Sequence, residues 1–268
     1  FRADFDNANV YIYQDDNCLD TLYHNYTYLS LQYAYTIGNY WSKKVVPQPG
    51  KEYKIVVKAP GLPDAMSITQ IPEMVKIEHV DTTWALVTNN NRTSGQLICH
   101  INFTDPPNKK NYYLLNISAK RPKHWPEEPD YPYVVFNCND PVVEEKIIEN
   151  PLMEGIDGIV FSDKTINGEN YDLKLSVSDE RYDESFLNDP NFNFIDYEKT
   201  TYFRLYTISE EYYKYLQSLI LYYSKVGNPF TEPVHVFSNI NGGYGIFAGA
   251  AVSCDSIVQI CKTFTVKQ

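Results

Sequence analysis

The stretch from Ile208 to Ala250 constrains the fold more than any other, because it holds the one convincing helix pattern in a chain that otherwise reads as strands. Ser209 is a natural N-cap, and Glu210 and Glu211 set negative charge on the positive end of the helix dipole. Tyr212, Tyr215, Leu216, Leu219, Ile220 and Tyr223 recur at three- and four-residue steps and make one apolar stripe. Gly227 supplies a left-handed stop, and Pro229 and Pro233 prevent the helix from resuming. The pattern predicts a helix over 209–226, then a short strand over Val234 to Phe237 and a turn at Asn241-Gly242-Gly243. A lone helix with one apolar face must lie on something, and here only sheet is on offer. The expectation is a lid helix packed on β-structure.

The rest of the chain alternates. Val10 and Ile12 interleave with Tyr11 and Tyr13, Asp15-Asp16-Asn17 is a turn, and the stretch from Tyr26 to Tyr35 alternates again. Pro47-Gln48-Pro49-Gly50 precedes a strand from Tyr53 to Val57. This spacing predicts a small immunoglobulin-like β-sandwich over residues 1–68. Pro60-Gly61-Leu62-Pro63 marks the boundary region. A larger antiparallel β-domain with the helix packed on it is expected over 69–268, with strands at Val75–Val80, Gln96–Phe103, Tyr112–Ala119, Tyr133–Phe136, Ile159–Ser162, Tyr171–Val177 and Thr200–Tyr206. Thr104 to Lys110 reads as a hairpin loop, since Pro106 and Pro107 cannot donate to a ladder. The fold class is mainly β.

Composition narrows the function. A net charge of −11 argues against nucleic acid, whose phosphates need clustered Lys and Arg. Tyrosine is the outlier, with 24 residues, and its amphipathic ring suits both half-buried sheet and binding faces. No apolar run approaches the length of a membrane span. The five cysteines are an odd number without a Cys-x-x-Cys pair, and Cys99 falls in phase with Leu97, Ile101 and Phe103 as a buried small hydrophobe. Cys254 and Cys261 on one continuous strand would point to opposite faces more than about 20 Å apart.

Catalytic patterns are missing from the sequence. It has no Gly-x-Ser-x-Gly elbow, P-loop, Gly-x-Gly-x-x-Gly or His-Glu-x-x-His. His79 and His100 fall on strands that could be neighbours, but two ordinary strand histidines are the simpler reading than a metal pair. With 34 acidic residues some carboxylate pair always looks close, so carboxylates alone do not identify a glycosidase. The expectation is no enzyme, no cofactor and no metal.

Binding residues are easier to nominate. Trp125, Tyr131 and Tyr133 sit among prolines between Pro122 and Tyr133, where a rigid loop holds aromatic rings at little entropic cost. Asn241 and Tyr244 flank the Gly242-Gly243 turn, where another backbone can approach closely.

Several segments also carry a resemblance. They are Ile208-Ser209-Glu210-Glu211-Tyr212-Tyr213, Asn228-Pro229-Phe230 with Glu232-Pro233-Val234, and Ser238-Asn239-Ile240 through Gly245-Ile246-Phe247. Ile71-Pro72, Asp105-Pro106-Pro107 with Asn111-Tyr112-Tyr113, and Val160-Phe161-Ser162-Asp163 with Asn167-Gly168 match in the same order. Across roughly residues 45–250 the chain resembles the Bacteroidetes lipoprotein family called domain of unknown function forty-two forty-nine. That resemblance implies an outer-membrane lipoprotein, often encoded beside a TonB-dependent receptor, with a signal peptide and lipid-bearing cysteine upstream. It carries no catalytic or binding residues. The functional expectation is a non-catalytic surface or envelope module that assists a TonB-dependent transporter in nutrient capture, with a glycan or peptide as ligand. The alternatives are an adhesin or structural envelope lipoprotein, and a glycan or peptide hydrolase.

Overall fold

Period-two alternation carries through into a mainly β protein with several antiparallel sheets and, among the described residues, one α-helix. The computed structural model describes residues 7–29, 35–89, 92–120, 134, 136–143, 158–178, 192–225 and 232–266. The chain divides into two compact units, one formed by residues 1–73 and 208–251, the other by 74–207 and 252–268. Residues 208–251 thus fold with the N-terminal segment, whereas the sequence pattern assigns them to the C-terminal domain and sets the boundary after residue 68. The helix signal shows only that an apolar face needs a sheet; it does not say which one.

The first unit holds a five-stranded sheet in the order β3-β2-β1-β4-β5: β1 Asn9–Gln14, β2 Asn17–Leu29, β3 Tyr35–Trp41, β4 Glu52–Lys58 and β5 Ala65–Gln70. β1 and β2 form a hairpin whose two turn residues, Asp15 (φ 48°) and Asp16 (φ 62°), are both left-handed, as a tight two-residue turn requires. β5 falls in the stretch that reads in the sequence as a boundary. Its polar residues Ser67 and Thr69 are buried, while Met66 and Ile68 face outward, so its alternation is inverted. On the inner side Tyr53, Ile71 and Ala251 pack with Ile12, Val45 and Phe247.

The helix, α1, spans Glu210–Lys225. The Ser209 hydroxyl accepts from the amide of Tyr212 at 3.4 Å and its carbonyl from Tyr213 at 3.0 Å, so the expected cap is present. Only Leu216 and Leu219 of the expected stripe are buried; Tyr223, in the last turn, is exposed. Val234 to Phe237 joins no ladder. Instead the Phe237 amide donates to the Ser218 hydroxyl at 2.8 Å, which ties this segment to the helix rather than to a strand.

The second unit is built from two four-stranded sheets, β10-β8-β12-β13 and β6-β7-β11-β9. Their strands are β6 Ile77–Asn89, β7 Arg92–Thr104, β8 Tyr112–Lys120, β9 Phe136–Asn137, β10 Ile159–Ser162, β11 Asn170–Ser178, β12 Phe192–Ile208 and β13 Ala250–Val266. Leu97, Cys99, Ile101 and Phe103 of β7 pack with Tyr113 and Leu115 of β8, Phe161 of β10, Leu173 of β11 and Phe203 of β12 in one core. Both sheets therefore share one interior. Residues 104–110 are not a hairpin loop: β7 pairs with β6 and β11, whereas β8 pairs with β10 in the other sheet. Paired prolines stop a strand, but they do not dictate whether the next one returns beside it or steps to the other sheet.

Candidate functional site

Within each unit, the described segments that carry the family resemblance build architecture. In the second unit Asp105 is fully buried after β7. Its carboxylate accepts from the Tyr113 hydroxyl, from Asn111 Nδ2 at 3.2 Å and from the Gly168 amide at 3.0 Å. Asp163, also buried, accepts from the Asn111 amide at 2.7 Å and from Asn167 Nδ2 at 3.0 Å. Asn167 Nδ2 also lies 2.9 Å from the Lys109 carbonyl. Burial raises Asp105 above the usual carboxylate range, its hydrogen bonds oppose that, and the nearby Asp163 charge adds to it. Both oxygens of Asp105 are answered by donors of the chain itself. A buried carboxylate held in this way acts as a clamp on the inter-sheet crossing rather than as a group waiting for a substrate.

The first unit has a matching lock at Ser238 to Phe247. Asn239 closes the loop with both ends of its amide: Nδ2 donates to the Phe247 carbonyl at 2.7 Å, and Oδ1 accepts from the Phe247 amide at 2.9 Å. The Ser238 hydroxyl accepts from the Gly245 amide at 3.1 Å. Asn241 then pairs with Met66 on the edge of β5, amide to carbonyl in both directions at 2.8 and 2.9 Å.

One arrangement with the order of a catalytic relay lies, among the described residues, on the polar side of β6, β7 and β11. Thr83 Oγ1 lies 3.5 Å from His100 Nε2, and His100 Nδ1 lies 2.9 Å from Asp172 Oδ2. A hydroxyl, an imidazole and a carboxylate in line is the order a nucleophile needs. The register sets His79 opposite Asn102 and Asp81 opposite His100, and His79 Nε2 lies 3.2 Å from Asp81. Each histidine thus meets its own carboxylate rather than the other histidine.

Among the described residues, one open surface with binding chemistry is the outward face of the five-stranded sheet. Cross-strand register puts Trp41 of β3 directly opposite Tyr23 of β2. It also sets Thr21, Tyr11, Val56 and Met66 in one row across β2, β1, β4 and β5, and Tyr13, Lys54 and Ile68 in the next. Trp41 is 56% exposed, Tyr23 52%, Ile68 52% and Met66 39%. The Tyr11 and Tyr13 rings stand 6.5 Å apart. Lys54 Nζ lies 5.8 Å from the centre of the Tyr13 ring, and Lys43 Nζ 5.7 Å from that of Tyr23. The alternation of Tyr11 and Tyr13 is visible in the sequence. The assembly of the face is not, because it depends on the register of five strands and on the inverted pattern of β5.

The sequence-nominated residues divide. Trp125, Tyr131 and Tyr133 lie outside the described residues. Asn241 extends the β5 edge beside Met66, and Tyr244, three residues on, is 96% exposed. The close backbone approach expected at Gly242 is real but internal: a Cβ there would lie 2.4 Å from the Asp64 carbonyl oxygen of the same chain.

No curated protein and no solved structure matches the chain. A family model does match, over residues 2–255, and it takes in the Asp105–Asp163 clamp, the Ser209 cap and the Asn239 lock. The chain belongs to the family described as Domain of unknown function (DUF4249).

Proposed function

We propose that this protein is a non-catalytic module, lipid-anchored in the outer membrane, that assists a TonB-dependent transporter in nutrient capture. The observation that carries the reading is the outward face of the first unit, where Trp41, Tyr23, Met66 and Ile68 stand in solvent. Exposed Trp, Tyr and Met together are the side chains that anchor protein and ligand contacts. The inward-turned motif residues support it from the other side, since they build the scaffold and leave chemistry to the open face. The outward side chains of β5, Met66 and Ile68 among them, carry no charge, and that edge is the part suited to docking on the transporter.

The test is co-purification of the tagged protein from detergent-solubilised outer membranes, with partners identified by mass spectrometry. A TonB-dependent β-barrel is expected with the native protein and lost with Met66→Glu combined with Ile68→Glu, at an unchanged melting temperature. Loss instead on Trp125→Ala with Tyr131→Ala would move docking to the proline-rich segment. Absence of any such barrel with the native protein would end the transporter reading and leave an adhesin or structural role.

A further inference from the structure

We propose that the β1–β2–β3 half of the same face binds a carboxylate-bearing glycan, a polymer of uronic acid type. The inference names a ligand class for the capture reading and rests on it.

Trp41, Tyr23, Tyr11 and Tyr13 occupy three adjacent strands, so their rings cover roughly 10 Å across the sheet at the usual strand spacing. Exposed aromatic rings on neighbouring strands suit the C–H faces of sugar units. Two ammonium groups border these rings: Lys43, just after β3, over Tyr23, and Lys54, on the adjacent strand β4, over Tyr13. The neighbouring lysines are matched, Lys44 with Asp20 and Lys58 with Asp64. Lys43 and Lys54 make no ion pair among the described residues, in a chain whose net charge is −11.

Two cations that make no ion pair among the described residues, each held above an aromatic ring, are placed to receive an anion. A neutral sugar would leave both ammonium groups unanswered. The centre of a protein interface is depleted in lysine, which disfavours a protein on this half. A plain polyanion would make no use of the rings. A sugar with a carboxylate uses both features: the ring faces stack, and each acid group meets an ammonium.

The experiment is affinity electrophoresis and titration calorimetry of the purified chain against polygalacturonate, alginate and hyaluronate, with methyl-esterified polygalacturonate, galactan, dextran and dextran sulfate as controls. At least one uronate polymer should bind, the neutral polymers should not, and dextran sulfate should bind more weakly. Trp41→Ala and Tyr23→Ala should each weaken binding roughly tenfold. Lys43→Gln with Lys54→Gln should abolish the preference for polygalacturonate over its methyl ester, or the corresponding acid preference for whichever uronate binds. These side chains face water, so unchanged thermal melts should accompany each loss. Three results overturn the proposal: no uronate polymer binds, neutral polymers bind equally well, or dextran sulfate binds as tightly with the ring variants unaffected. Each can occur while the transporter still co-purifies, so failure of the glycan and failure of the capture reading are read separately.

Discussion

The Ser67 hydroxyl donates to the Asn239 carbonyl at 2.9 Å, across 172 residues of chain. Ser67 is buried, whereas Ile68 beside it is half exposed. The polar side chain therefore has the structural role and the apolar one is available at the surface. Ser67→Ala, which leaves the Asn239 carbonyl without this donor, is expected to cost about 1 kcal/mol, and Ile68→Ala less than about 0.5 kcal/mol. Urea denaturation of the two variants checks the order. A larger loss at Ile68 would mean that the outward face is packed.

The helix offers a second contrast. Leu216 is fully buried, so Leu216→Ala should cost about 2–5 kcal/mol. Lys214 pairs with Glu210 at 2.8 Å on the half-exposed side, and Lys214→Ala should stay within about 0.5 kcal/mol. Equal losses in thermal melts would contradict the observed packing.

Two glycines with nearly the same backbone angle should behave differently. Gly61 has φ +76° and nothing within 4 Å of the place an alanine Cβ would take, so Gly61→Ala should cost only about 1 kcal/mol of backbone strain. Gly242 has φ +81°, and there the Asp64 carbonyl oxygen would stand 2.4 Å from the added Cβ. Gly242→Ala must also force the loop away from β5, and its loss should exceed that of Gly61→Ala. Paired denaturation curves decide it.

The Asp105 clamp predicts a pH signature. Because burial raises its folded-state pKa above the ordinary 3.8, Asp105 takes up a proton on folding between those two values. Its favourable contribution is complete below the unfolded value and is lost as pH rises through the folded one. Asp105→Asn removes this titration and turns an amide donor toward groups that themselves donate, a pH-independent cost of about 1–3 kcal/mol. The stability advantage of the native protein over the variant should therefore shrink as pH rises through that window. An advantage that grows with pH in parallel urea melts would contradict the assignment.

Thiol reactivity should sort by environment. Cys99 is fully buried and its pKa is pushed up to about 12, while Cys18 and Cys254 are exposed and free. Iodoacetamide at mildly alkaline pH should label Cys18 and Cys254 in the folded protein and reach Cys99 only after denaturation. Mass mapping of labelled peptides reads the result.

Much of the fold is legible in the sequence. The Ser209 cap and Leu216–Leu219 announce the helix, and the Asp15-Asp16 turn announces the first hairpin. The phase of Cys99 with Leu97, Ile101 and Phe103 announces a core strand. What stays hidden depends on partners far away. β5 looks like linker because Ser67 and Thr69 take the positions where apolar residues are expected, and only Asn239 and Ser209 explain that choice. β13 alternates weakly, with Ser253, Asp255 and Gln259 on one face and Val252, Val258 and Ile260 exposed on the other. Asp105-Pro106-Pro107 and Asn167-Gly168 each read as a local turn, yet they meet in one clamp. The outward aromatic face is present residue by residue and needs cross-strand register to become a surface.

The division of the chain also sets an order of events. The first unit receives its helix and loop from residues 208–251, and the second its last strand from beyond 251. A nascent chain that has emerged only as far as Thr207 therefore has neither unit complete, although three quarters of the 268 residues are already made. Its apolar strands must wait in that state for the closing segments, at a rate of about 5–20 residues per second of synthesis. The first unit can close only once residues 208–251 are made, and the second only when the rest of β13 follows, so the two units are completed in that order by one continuous stretch.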